Sequence, residues 1–281
     1  MEETTYKIEI TEEDLPVLSA VANKALVLIQ DNSATNGQIE TLIRQDPALT
    51  QRVLHVANSP FYAGRVESRT IAAAIARLGL RQLRNVIVVA ATGELFNSSD
   101  RLAQALWEHA VAAGIAGQIL AQELKLEGTE ESFIAAMLHD VGKPVILRQI
   151  PQVYEPMIAR WLEAGERLQA AEESTFKYFN HSTVGGLTIR KWRLSDNIAE
   201  AVRFHHELET GMPKLNNPAL TSIVSLASVF ANNMGHGHPV GPWPEVAKMA
   251  SAQHLRLSGE RLEALAEKVK VALEAQWPTI S

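Results

Sequence analysis

Hydrophobic positions along this chain recur at helical spacing almost from end to end. Leu102, Leu106, His109, Ala113, Ala116, Leu120 and Leu124 are separated by steps of three or four residues, which places them on one stripe of an amphipathic helix. Period-two alternation is confined to residues 6–10, and the β-branched run at residues 87–89 lies inside a longer helix-compatible segment. The pattern predicts an all-α protein.

Local punctuation agrees with it. Asp46-Pro47 sets a capping carboxylate ahead of a first-turn proline, and Gly79 follows residues 71–78 as a residue that can end a helix. Asp100, Thr129 and Ser195 stand where further N-caps are expected. Polar breaks fall at residues 97–100 and 211–218, and residues 235–244 are rich in glycine and proline. These divide the chain into a helical half ending near residue 98 and a second helical half.

Composition narrows the function classes. At 281 residues, 46% hydrophobic and 21% charged, the chain can bury a real core. Its longest strictly apolar stretch, residues 86–91, is a third of the roughly 18–20 residues that a membrane span requires. The N-terminus is acidic and lacks the basic start and apolar run of a signal peptide, so a cytoplasmic protein without membrane contact is expected. The 32 acidic against 26 basic residues argue against nucleic acid, whose phosphates select a basic footprint. There is no cysteine, so no disulfide, thiolate nucleophile or iron–sulfur cluster is available, and any metal must be held by nitrogen and oxygen. The nine histidines become the residues to follow.

His139-Asp140 ends a short helix built on Phe133, Ile134, Met137 and Leu138. Neighbours on a regular helix point about 100° apart, so both reach one centre only where the helix stops, and Gly142 and Pro144 supply that stop. Alone, the pair reads as a surface or capping dipeptide. His109 replaces a leucine on the apolar stripe, where a lone histidine is more often a satisfied core residue. His181, before Ser182-Thr183 at a helix start, and His205-His206 are equally ambiguous singly. Together, five histidines and one aspartate spread over several helices match the way helical metal sites are assembled. Mixed nitrogen and oxygen ligation suits iron, manganese, zinc or nickel more than calcium. Other features have plainer readings. Arg77, Arg81 and Arg84 read as a solvated helix face, residues 58–62 as a helix end and turn, residues 235–238 as a solvated loop, and Trp107 and Trp192 as core supports.

Trp107-Glu108-His109, His139-Asp140-Val141-Gly142-Lys143, His181 with Gly185, and His205-His206 resemble, in order and spacing, the HD superfamily of metal-dependent phosphohydrolases and its cyclic-dinucleotide-hydrolysing relatives. The first half resembles the HDOD family, the HD-related output domain of bacterial signalling proteins. The residues concerned are Leu15-Pro16-Val17-Leu18, Asp46-Pro47-Ala48-Leu49-Thr50, Val53-Leu54, Ala57-Asn58-Ser59-Pro60, and Ala74-Ile75 with Leu78-Gly79. The resemblance is strongest over residues 15–210. It implies an N-terminal segment (1–14), a first helical lobe (15–98) and a second lobe (99–281) built as an HD-type bundle.

It also implies one or two divalent transition-metal ions. His109, His139 and Asp140 would bind one, and His181 and His205 with His206 a second, with Asp140 bridging. Lys143 matches a lysine that in hydrolytic relatives lies near the attacking water and phosphate, and would be the catalytic residue of an enzyme. Two departures stand out. The last aspartate of the HD pattern falls at Ser228, with Asn232 one turn on as a possible substitute, and residues 210–213 replace a longer glycine-tyrosine-proline loop. The expectation is therefore a regulatory module that binds a signalling protein partner or a small phosphorylated ligand. The alternative is a metal-dependent phosphohydrolase or phosphodiesterase acting on a nucleotide or cyclic dinucleotide. A scaffold of merely packed histidines is the third reading.

Overall fold

Helix starts follow the capping chemistry of the sequence. The structure is a computed structural model and describes residues 10–30, 34–58, 62, 67–96, 101–126, 131–176, 179–210 and 214–276. Among these there is no β-strand. The first helices are α1 (Ala20–Gln30), α2 (Asn36–Ile43), α3 (Pro47–Ala57) and α4 (Ile71–Thr92). Asp46 accepts from the Leu49 amide at 2.9 Å, with Pro47 in the first turn of α3. Gly79, at φ 72° and ψ 165°, breaks α4 where only glycine adopts the conformation without strain, and the helix resumes at once. These four helices pack on one another and bury Leu26, Ile39, Ile43, Leu49, Val53 and Ile71.

The chain continues through α5 (Arg101–Leu124), α6 (Ser132–Leu138), α7 (Gly142–Gln149), α8 (Pro151–Ala164) and α9 (Leu168–Thr175). After these come α10 (His181–Lys191), α11 (Asp196–Phe204) and α12 (Pro218–Asn233). Ser195 caps α11 through the Ile198 amide at 3.3 Å. The caps expected at Asp100 and Thr129, the alternation at residues 6–9, and residues 97–100 and 211–213 lie outside the described residues. Helix α5 is the axis of this half and touches α6, α7, α8 and α12. It is buried on every face from His109 through Gly117, as a central helix must be. Three further helices, α13 (Trp243–Val246), α14 (Ala250–His254) and α15 (Gly259–Gln276), complete the bundle, with α15 against α5 and α14 against α12.

The two groups of helices meet where α4 touches α6. Both Arg84 terminal nitrogens donate to Glu131 Oε1 at 3.1 Å, and Glu131 Oε2 accepts from the Ser195 hydroxyl at 2.5 Å. Lys191 donates to the Leu15 carbonyl at 2.8 Å, and buried Trp192 donates through Nε1 to Pro16 at 2.8 Å. The segment around Leu15-Pro16 is thereby tied to the end of α10.

Arg77 donates to the last carbonyl of α3, Ala57, at 2.6 Å. Arg77 and Arg84 thus turn inward, leaving Arg81 alone exposed, which corrects the reading of this trio as a solvated face. Asn58 closes a turn onto Ser68 with hydrogen bonds of 2.9 and 2.8 Å, as a helix end should. No helix among the described residues is long and apolar enough to cross a membrane.

Candidate metal centre

All six residues singled out as ligands come together, and most arrive from helix ends. His139 and Asp140 occupy the turn between α6 and α7, His181 is the first residue of α10 behind its Asn180 cap, and His205 and His206 follow the last residue of α11. His109 comes from within α5. A helix end frees a side chain from the helix's radial spacing, so consecutive residues can serve one centre. Gly142 makes the convergence possible, because a Cβ there would lie 2.0 Å from the His181 carbonyl oxygen and 2.9 Å from the Gly185 nitrogen. Only a glycine lets the turn holding His139 and Asp140 touch the start of α10.

Asp140 lies at the middle and faces two ways. Its Oδ2 is 3.2 Å from His139 Nε2 and 3.4 Å from His109 Nε2, while its Oδ1 is 3.3 Å from His181 Nε2 and 3.7 Å from His205 Nε2. His206 Nε2 is 3.1 Å from His181 Nε2. His109, His139, Asp140, His181 and His205 are buried, whereas His206 is exposed and forms the open edge of the cluster.

The outer nitrogens decide what the inner ones offer. His109 Nδ1 lies 2.7 Å from the His236 carbonyl, His139 Nδ1 2.6 Å from the Ala136 carbonyl, and His205 Nδ1 2.7 Å from the Val202 carbonyl. A carbonyl can only accept, so each Nδ1 carries a proton, and Nε2 is the nitrogen whose lone pair a neutral ring turns inward. His181 Nδ1 lies 2.6 Å from the buried Glu172 carboxylate, with the same consequence.

Burial pushes the His109 ring down to about 3, against the pull of Asp140, and holds His205 well below its ordinary range with help from the neighbouring histidines. Burial opposes ionisation of Asp140, but His139 and Lys143 outweigh it and hold the carboxyl well below the usual carboxylate range. Inward-facing lone pairs around a carboxylate repel one another unless a cation or proton lies among them. Asp140 Oδ1 and His205 Nε2 are buried without a hydrogen-bond partner. Ligand atoms about 3.0–3.5 Å apart are the edges of a coordination shell with bonds near 2.1 Å. The residues therefore fit a transition-metal ion.

Lys143 and Ser228 line the His109 side. The Lys143 ammonium is 2.5 Å from Asp140 Oδ2 and lies 3.9 Å over the Trp161 ring, whose edge also meets His109. Ser228 Oγ is 3.3 Å from His109 Nε2, next to the ligand set where the resemblance places an aspartate. Asn232, suggested as a substitute, points its amide oxygen at Gly237, which borders the Nδ1 side of the His109 ring.

Sequence reasoning missed the supporting shell. Glu172 accepts from the Tyr154 hydroxyl and from the His181 amide at 3.2 Å as well as from Nδ1, yet nothing in the string LQAAEEST marks it. Residues 235–238 were read as a solvated loop, and their contribution is the His236 main-chain carbonyl rather than a side chain.

Comparison with known proteins bears on this geometry. The family described as HDOD domain matches residues 15–208. The chain is 24% identical over 269 residues to an uncharacterised protein of Treponema pallidum (strain Nichols), covering 92% of this chain. It spans about half, 51%, of the length of that curated relative. Among solved structures it is similar to an HDOD domain protein of unknown function from Geobacter sulfurreducens, with 24% identity, a TM-score of 0.74, and 95% and 91% of the two chains covered. A candidate phosphohydrolase from Shewanella amazonensis SB2B superimposes with a TM-score of 0.73 at 22% identity over 96% of this chain and 94% of its own. A candidate metal-dependent phosphohydrolase from the same organism gives 0.65 at 18% identity over 95% and 92%. At these identities the likeness to the solved structures is one of fold.

Proposed function

Because the chain belongs to the HDOD domain family, we propose that it is a signal-transduction regulatory module whose HD-type half carries a transition-metal centre and which acts by binding a partner protein or a small phosphorylated ligand. One observation carries this reading: four histidine Nε2 lone pairs close on the two oxygens of Asp140, each set by a hydrogen bond on the far side of its ring. Such a set is costly to bury unless a cation gathers it. Either of two overlapping sets would hold an ion: His109, His139 and Asp140 on one side, or Asp140, His181, His205 and His206 on the other. A divalent transition ion supplies Lewis acidity and positive charge when bound.

The chain's own groups favour recognition over turnover. The Lys143 ammonium is committed to Asp140 Oδ2 and the Trp161 face, and a serine stands where the last acidic ligand of the HD pattern falls. His206, exposed at the edge of the cluster, is the ligand-type residue that a phosphate or a partner's acidic group would meet first. The test is an assay of the metal-loaded chain against nucleotides and cyclic dinucleotides alongside elemental analysis. Bound transition metal without phosphate release is expected, and turnover abolished by His139→Ala would overturn the regulatory reading.

A second reading, metal-dependent phosphohydrolase, draws on the names of the Shewanella structures and on Lys143, a buried cation beside the central carboxylate. In it Lys143 would offset charge developing on a phosphoryl oxygen. The same assay separates the two.

A further inference from the structure

The two sides of Asp140 are not equivalent. On the His109 side, Asp140 Oδ2 and His109 Nε2 each have a donor within the chain, and His139 Nε2 faces them at 3.2 and 3.3 Å. Oδ2 accepts from Lys143 at 2.5 Å, and the Ser228 hydroxyl, 3.3 Å from His109 Nε2, can donate to the lone pair left there by the hydrogen bond from Nδ1 to His236. On the His181 side two inward atoms lack a donor. Asp140 Oδ1 and His205 Nε2 are buried and unpartnered, and His181 and His206 turn nitrogens toward each other at 3.1 Å.

Charge points the same way. The carboxylates within the cluster are Asp140 and Glu172, and one ammonium, Lys143, is already present. One dication beside that ammonium is nearly balanced by them. Two dications a few ångströms apart, with the ammonium, would leave a large uncompensated positive charge in a buried site. An aspartate at 228 would have reduced that excess, and Ser228 does not.

We propose that the cluster takes a single transition-metal ion per chain, held by Asp140 Oδ1, His181, His205 and His206, while Lys143 and Ser228 close the His109 side from within. This rests on the metal-binding part of the reading above and specifies it. Lys143 then stands in for a second ion as the charge partner of Oδ2, and the bound ion meets solvent at the exposed His206 edge. A one-ion centre lacks the paired ions that clamp both the attacking and leaving oxygens in two-metal phosphoryl hydrolysis.

The test uses the full chain stripped with chelator, then equilibrated with micromolar cobalt(II), with metal content by mass spectrometry and the visible d–d absorption as readouts. Saturation at one cobalt per chain is expected. His206→Ala, at an exposed position where the fold tolerates change, should lose that ion and its band, with circular dichroism confirming an intact helical fold. Ser228→Ala should keep one ion, and Ser228→Asp should take up a second. Two ions in the unmodified chain would overturn the proposal while leaving metal binding in place. One ion that survives His206→Ala would overturn it as well, because the ion would then sit on the His109 side. A Ser228→Asp chain that still takes one ion would overturn the role given to Ser228. No cobalt at all would instead overturn the metal-centre reading itself.

Discussion

Glu172 supports the cluster from outside it, so its removal tests whether the observed hydrogen bonds carry the energy that the geometry assigns. The carboxylate is fully buried and accepts from three donors: the Tyr154 hydroxyl, the His181 amide at 3.2 Å and His181 Nδ1 at 2.6 Å. Glu172→Ala strands all three. A buried donor left without a partner costs about 1–3 kcal/mol, while removing a buried carboxylate returns part of its desolvation cost. A net loss of about 3–5 kcal/mol is expected, a large fraction of the roughly 5–15 kcal/mol that holds a domain folded. Glu172→Gln keeps volume and one acceptor and should lose about 1–2 kcal/mol.

The phenol reports on the same contact. Burial, reinforced by Glu172, pushes Tyr154 well above the ordinary tyrosine range, so it stays a donor. Adding Tyr154→Phe to Glu172→Ala removes one stranded group and should restore about 1 kcal/mol. Urea unfolding followed by circular dichroism measures all four chains. Because Glu172 orients His181, metal affinity should also fall about 10- to 100-fold. A Glu172→Ala loss below about 1 kcal/mol, or no recovery with Tyr154→Phe, would refute the reasoning.

Three further outcomes are expected. Gly142→Ala would push its Cβ to 2.0 Å from the His181 carbonyl oxygen, with backbone rather than a flexible side chain in the way, so thermal unfolding should show a loss of about 2–3 kcal/mol together with reduced metal uptake. Arg84→Ala should cost about 1–2 kcal/mol, since both partners of the Arg84–Glu131 pair are largely shielded, at 14% and 18% exposed. A double-mutant cycle with Glu131→Gln that gives coupling below about 0.3 kcal/mol would remove this pair from the account of how α4 is held to α6.

In metal-free protein, the His109 pKa is depressed from 6.5 to about 3, so the unfolded chain binds the extra proton across that window. Stability from this group is complete above pH 6.5 and is lost as pH falls toward 3, by about 1.4 kcal/mol per pH unit. His205 shifts in the same direction and adds to the slope. A urea midpoint unchanged between pH 7 and pH 5 would contradict a neutral, buried His109.

What could be read from the sequence divides along a physical line. The helices were legible because apolar spacing and capping residues are properties of residue type, as Asp46-Pro47 and Ser195 illustrate. The six clustered residues were legible for the same reason, since nitrogen and oxygen ligands must be particular side chains at particular places. The groups that orient them were not. His236, Ala136 and Val202 act through their carbonyl oxygens, which every residue possesses, so no residue type announces them. Glu172 is a side chain, but its partners Tyr154 and His181 are 18 and nine residues away, and only folding brings them to it.

Arg77 and Arg84 failed in the opposite sense, because a charge at helical spacing reads as solvated until Ala57 and Glu131 appear beside it. Ser228 shows most clearly where the sequence stops. Read along the chain it is a missing carboxylate and nothing more. Placed 3.3 Å from His109 Nε2, with Lys143 already on Asp140 Oδ2, it becomes a donor to His109, and Asp140 Oδ1 and His205 Nε2 stand out as the buried atoms of the cluster without a hydrogen-bond partner.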